Sequence, residues 1–286
     1  MSRGVNEVAH ALQAGDIGGT ADHGAGRREY SGLWSLTSVH QPHSAFVGSY
    51  AGLIFGHHRS ENGRQPPVNV ERTGPTEVTM QRSMGGLNTK GVYRLTPPNY
   101  IDYEVTTEAT ESIDFPHLSW CCYMNSPEDG DIRFRLDGRW VTGHSPKHGI
   151  EATYCPKSLV DIREELNRYP LESLELENGY RKGFHTGYSY QRFDRPFYYG
   201  RIRNMAYIVM FDRYHDIRFL ISSSGGGISV VPGLTCQAWD WMWLPDSLAV
   251  NAPKTLRTRV VYKPYLDDDD VFSEYEKFAT HFPSPA

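Results

Sequence analysis

From Leu33 onward the chain is built of short segments rich in Val, Ile, Thr and aromatic residues, each closed by Gly, Pro, Asn or Asp. "LWSLTSVH", "TEVTMQRSM", "GVYRLTP" and "YIDYEVTTEAT" come early, and "IRFLISSS", "CQAWDWMWLP" and "TLRTRVVYKPY" follow later. Several alternate apolar and polar residues, the pattern of antiparallel strands with one buried face. No regular alternation of strand and helix interrupts them. About twelve to fifteen strand segments of this kind predict an all-β protein, a large antiparallel β-sandwich with a few short helices. The composition agrees: 18 tyrosines, 6 tryptophans, 27 glycines and 18 prolines suit a turn-rich β protein with aromatic-lined surfaces.

Three stretches read as helix. Residues 5–14 place Val5, Val8, Ala9 and Leu12 at helical spacing, and the glycine-rich run behind them reads as a flexible connector. In "SLVDIREELNRYP", Ser158 is the expected N-cap and Pro170 the stop. The C-terminal "LDDDDVFSEYEKFATHF" puts four aspartates where a helix start favours negative charge, then Val271, Tyr275, Phe278 and Phe282 along one side. The expected organisation is an N-terminal helix and connector over 1–30 and a single β-sandwich domain over 31–286.

A formal charge of −5 argues against nucleic acid as a partner, because a phosphate backbone is met by a basic stripe. No window approaches the roughly 18 to 20 apolar residues of a membrane helix, and the start lacks the apolar core of a secretory signal. A cytoplasmic protein with no membrane partner is expected, and homo-oligomers are compatible with the sequence. Cys121, Cys122, Cys155 and Cys236 repeat no metal-ligand spacing, so they read as buried free thiols.

Polar residues inside strand-like segments mark where chemistry can reside, since burying them without partners costs several kcal/mol. In "RPFYYGRIRNMAYIV", Arg195, Arg201 and Arg203 lie among aromatics with Tyr198, and strand periodicity puts Arg201 and Arg203 on one guanidinium-rich face. The stretch from Gly56 to Arg82 holds Glu71, Arg72, Glu77, Gln81 and Arg82, with Glu77, Thr79 and Gln81 on one side of a strand. It reads as a hairpin forming one wall of a site.

Histidines supply the proton-exchange candidates. His57 follows an apolar run, and His144, His148 and Glu151 lie in "GHSPKHGIEATYCP". A metal at His144, His148 and Glu151 is the alternative use of these residues, though Pro146 works against a helix that would present both histidines to one ion. No cofactor is otherwise expected. In "AWDWMW" the three tryptophans share one strand face, as core or as a sugar-stacking platform, and Asp240 takes the other. "SSSGGG" lacks the Lys of a phosphate loop and reads as a turn at a pocket rim.

The segments "LTPPNYIDYEV", "CYMNSPEDGDIRF", "PFYYGRIRNMAYIVMF", "SSSGGG" and "VVYKPYLDDDDVFSEYEKF" resemble a family of poorly characterised bacterial proteins, over much of the chain from Gly52 to Phe278. More remotely, the run of antiparallel strands is similar to the galactose mutarotase-like supersandwich of aldose epimerases, several polysaccharide lyases and some glycoside hydrolases. That resemblance implies sugar chemistry by His, Glu, Tyr or Arg side chains on a concave sheet. No epimerase motif is matched position by position.

The reading that follows is a carbohydrate-active enzyme that uses general acid/base catalysis on a mono- or oligosaccharide by elimination, epimerisation or hydrolysis. His57, His148, Glu71, Glu77 and Glu151 are the catalytic candidates. Arg72, Gln81, Arg82, Tyr123, His144, Tyr198, Arg201, Arg203 and Asp240 are the substrate-binding candidates. Convergence of His57, Glu71, Arg82, His148 and Arg201 on one cleft is the expectation that decides it. A metal-dependent β-sandwich enzyme and a non-catalytic sugar-binding protein are the rivals.

Overall fold

A nine-stranded sheet and a five-stranded sheet face each other across a core of aromatic side chains. The computed structural model describes residues 9–22, 31–47, 68–114, 116, 118–125, 127–145, 151–159, 161, 173–175, 181–183, 187–225 and 236–282. The order of the large sheet is Arg139–Gly143, Ile132–Leu136, Phe197–Ile202, Met205–Phe211, Lys254–Pro264, Tyr100–Ala109, Leu87–Thr96, Glu77–Met84 and Asn69–Gly74. Every neighbouring pair in it is antiparallel. The smaller sheet runs Gly187–Phe193, Ala152–Pro156, Ile217–Ser222, Ala238–Trp243 and Leu118–Trp120. Its first pair is parallel, the exception to the antiparallel pattern within the two large sheets.

Strand alternation builds the core. Val78 and Met80, Tyr93 and Leu95, Ile101, Tyr103 and Val105 point inward from the large sheet, and Phe219, Ile221, Trp239, Trp241 and Trp243 from the small one. Each such side chain contributes roughly 1.5–3 kcal/mol by leaving water. Trp120 stacks on Trp241 at 4.1 Å between centroids, and the indole N–H of Trp120 donates to the Tyr103 hydroxyl across the gap at 2.8 Å. The three tryptophans of "AWDWMW" are thus core and present no stacking platform.

The C-terminal helix, Asp268–His281, closes part of the other face of the large sheet. Asp267 caps it by accepting from the Asp270 amide, and Asp268, Asp269 and Asp270 fill the first turn, where the helix dipole favours negative charge. Val271, Tyr275 and Phe278 pack on Phe197, Ile208, Met210 and Val261. The strand Met205–Phe211 is buried on both faces for this reason, and its sequence reads as an unbroken apolar run.

One expectation fails at the N-terminus. His10–Ala14 is a strand, not a helix, and the glycine-rich connector supplies a second strand, Ile17–Asp22, that pairs with it and with Gly32–Ser38. Leu12, Ala14, Ile17 and Ala21 belong to the main core, so hydrophobic burial overrides the helical spacing. The helix expected over residues 158–170 lies almost wholly outside the described residues. Among the described residues no helix is long and apolar enough to cross a membrane.

Candidate functional site

The second face of the five-stranded sheet, turned away from the core, is buried and mixes polar groups with the apolar cluster of Leu220, Met242 and Leu244. Glu151, Arg218 and Asp240 are 6%, 4% and 7% exposed, and Thr153 and Ser222 are buried with them. Register places them together. Thr153 pairs with Leu220 and Leu220 with Asp240. Ser222 pairs with Ala238, which bridges to Tyr123, and Glu151 immediately precedes the pair of Ala152 and Ile221, beside Ser222. Glu151, Ser222, Ala238 and Tyr123 therefore form one row, and Thr153, Leu220 and Asp240 the next. Directly opposed residues share a sheet face, and diagonal neighbours lie about 7–8 Å apart. Asp240 is diagonal to Tyr123, to Ser222 and to Arg218, so along this face it lies between the phenol and the guanidinium, with Ala238 and Leu220 between it and Glu151.

Several contacts fix this arrangement. The Cys122 amide donates to Asp240 Oδ1 at 2.8 Å. Arg218 Nη1 donates to the carbonyls of His215 and Ile217 at 2.8 and 2.7 Å. At the Ser222 end the Ser145 amide donates to Ser223 Oγ at 2.9 Å, and Gly130 packs so closely that a Cβ there would lie 1.7 Å from the Ser223 carbonyl oxygen. These contacts bring the end of the hairpin 132–143 against the Ser222 end of the small sheet. Asp131 and His144 flank that hairpin, with His144 Nδ1 2.7 Å from Asp131 Oδ1 and the imidazole largely exposed.

The structure divides the sequence candidates. Glu151, Tyr123 and Asp240 share this face, whereas His144 sits at the end of the hairpin 132–143, its backbone bonded to the Tyr154 hydroxyl. Arg218 and Thr153 were missed; the signal for them was an arginine and a threonine at alternating positions in otherwise apolar strands. His57 and His148 lie outside the described residues. Glu71 and Arg72 are exposed on the edge strand of the large sheet, where Arg72 ties down the N-terminal hairpin by donating to the Ala11 carbonyl. Glu77 accepts from Thr73 at 2.7 Å and from Arg94 at 2.8 Å on the outer face, and the Thr73 hydroxyl and Arg94 hold its carboxyl below the usual range.

Gln81 is exposed beside that edge. Arg82 points the opposite way, into the core near Tyr93 and Tyr103, and burial lowers its guanidinium pKa to about 10. Tyr198 is a core residue that donates to the Trp239 carbonyl at 2.9 Å, and burial pushes its hydroxyl pKa well up.

The guanidinium face is not formed. Arg203 sits in the turn after Phe197–Ile202 with φ 55° and donates to Gln41 at 3.1 Å, whereas Arg201 stacks over Tyr265 at 4.5 Å. Arg195 precedes the strand and donates to the Asp194 carbonyl at 2.9 Å. The expected convergence also fails for its described members: Glu71 and Arg201 stand six strands apart in the large sheet, roughly 29 Å at the usual spacing, and Arg82 faces inward between them. Strand alternation gives each residue's face, but only strand order gives its neighbours. Among the described residues no group of three or more His, Cys, Asp or Glu side chains is placed to hold a metal ion.

No protein-family model matches the chain, and no curated protein matches it in sequence. Solved structures do. A GalM/aldose epimerase homologue from C. elegans superposes with a TM-score of 0.50 at 10% identity, covering 91% of this chain and 100% of that one. The α-N-acetylgalactosaminidase NagBb of Bifidobacterium bifidum, ligand free, superposes with a TM-score of 0.51 at 13% identity, covering 95% of this chain and 38% of that one. The chain shares their fold. At these identities the likeness is one of fold, as the sequence resemblance to the mutarotase-like supersandwich implies.

Proposed function

We propose that the chain is a carbohydrate-active enzyme whose acid/base work is done on the second face of the five-stranded sheet. The carrying observation is the burial of Glu151, Asp240 and Arg218 together on that face. Each ion costs several kcal/mol to remove from water, and a sheet's second face has no packing need for charge. Glu151 and Asp240 flank Ala238 and Leu220, one to accept and one to donate a proton, while Tyr123 and Arg218 orient hydroxyl or carboxylate groups of the sugar. Support for a sugar comes from the fold, shared with an aldose epimerase homologue and an N-acetylgalactosaminidase. Fold alone does not select among elimination, epimerisation and hydrolysis.

The test is product formation from a panel of neutral and uronic mono- and oligosaccharides, read by reducing ends, by the absorbance of unsaturated uronates and by change of optical rotation. Turnover of at least one sugar is expected, falling about 100-fold or more in E151Q with an unchanged melting temperature. No turnover across the panel, or an E151Q variant as active as the wild type, would refute the assignment.

A further inference from the structure

A groove of about 550 Å³ lies on the outer face of the large sheet, remote from the face assigned to catalysis. Its floor is a charge ladder. Glu77 pairs in register with Arg94, Arg94 with Asp102, and Asp102 with Arg259, so acid and base alternate across four strands. Ion pairs follow at 2.8 Å for Arg94 to Glu77 and 2.6 Å for Arg259 to Asp102. The neighbouring row adds Arg257, 2.9 Å from Glu104. Phe278 and Phe282 of the C-terminal helix form a wall.

We infer that this groove is a second site, which binds an acidic oligosaccharide. Each guanidinium carries five N–H donors in a plane, and one ion pair uses only one or two of them. The rows thus offer donors and acceptors at the inter-strand interval of about 4.8 Å, a lattice suited to successive ring hydroxyls. The partly exposed ring of Phe282 supplies an apolar surface for the C–H face of a sugar ring, backed by the buried Phe278. Charge selects an anionic chain: Lys90, Arg94, Arg257 and Arg259 line the groove against Glu77, Asp102 and Glu104, four cations to three anions. Lys90 makes no salt bridge with another described residue. An extended peptide is disfavoured because the groove lies over a sheet face and offers no free strand edge. Nucleic acid is disfavoured by the three carboxylates in its floor.

The inference goes beyond the proposed catalysis and is tested by direct binding, with no turnover required. Calorimetry on the full chain uses a uronic acid trisaccharide, its neutral methyl ester, an acidic peptide and a single-stranded oligonucleotide. The uronate is expected to bind, more tightly than its ester and both other probes, with affinity falling as salt rises. The double variant K90Q/R257Q should weaken it about tenfold or more, and so should F282A, each with the wild-type circular dichroism spectrum. Any of four results would overturn the site: no binding of the uronate, binding kept in K90Q/R257Q, an ester that binds as well as the acid, or tighter binding of the peptide or oligonucleotide.

Discussion

The backbone amide of Cys122 donates a hydrogen bond to Asp240 Oδ1 at 2.8 Å, across 118 residues of chain. It pins the carboxylate to the strand end that also presents Tyr123 beside Ala238. An asparagine can still accept that bond through its amide oxygen, but it cannot exchange a proton. D240N is expected to keep its melting temperature within a few degrees and to lose about 100-fold in turnover. D240A, which also leaves the Cys122 amide buried without an acceptor, should lose about 1–3 kcal/mol of stability as well. Equal turnover in D240N and the wild type would remove Asp240 from the chemistry.

Alkaline pH should unfold the protein steeply. Burial raises the hydroxyls of Tyr93, Tyr103, Tyr198 and Tyr207 above the free value of 10.0. The folded chain keeps these protons where the unfolded chain releases them, so their contribution is complete below pH 10 and lost as pH rises past it. Arg82 opposes them: its pKa falls from 12.5 to about 10, so between those values the folded chain binds fewer protons than the unfolded one. The raised tyrosines outnumber Arg82, so stability should fall with each pH unit beyond the free tyrosine value. Urea titrations from neutral to alkaline pH should show a plateau and then this fall.

Gly200 cannot carry a side chain. A Cβ there would lie 2.2 Å from the Trp239 ring, because the strand Phe197–Ile202 presses directly on the indole in the inter-sheet core. G200A should cost about 3 kcal/mol in denaturant unfolding, by forcing the ring or the strand to shift. A loss below about 1 kcal/mol would mean that the two sheets can separate there at little cost.

Lys263 holds the C-terminal helix to the sheet by donating to Asp270 at 2.9 Å and to Glu274 at 3.0 Å. Burial pushes the Glu274 carboxyl up, but Lys263 and Lys277 outweigh it and leave the pKa below 4.5. That contribution is present above pH 4.5 and is lost as pH falls through the folded value. K263M should cost about 2 kcal/mol at neutral pH, less than for a fully buried pair because the lysine is partly exposed. Its stability should also fall less on acidification than the wild type's.

The all-β class, the alternating strands and the C-terminal helix with its aspartate start were all legible in local sequence. So was the shared face of Trp239, Trp241 and Trp243, though whether it was core or a stacking platform was decided only by the opposing sheet. The N-terminal strands were not, because Val5, Val8, Ala9 and Leu12 fit helical spacing until Leu12 and Ala14 are buried in the main core. Of the candidate site, Glu151, Tyr123 and Asp240 were named from sequence, but nothing local joined them. Arg201 and Arg203 were paired by a strand periodicity that the turn at Arg203 ends.

What the sequence by itself determined was the face each strand residue takes, because side chains alternate with a period of two along any strand. What only the tertiary structure decided was which strands lie side by side, and hence that Glu151, Arg218 and Asp240 are neighbours while Glu71 and Arg201 are not. Alternation is a property of a few consecutive residues. Strand order is set by burying the whole core at once, from segments more than a hundred residues apart.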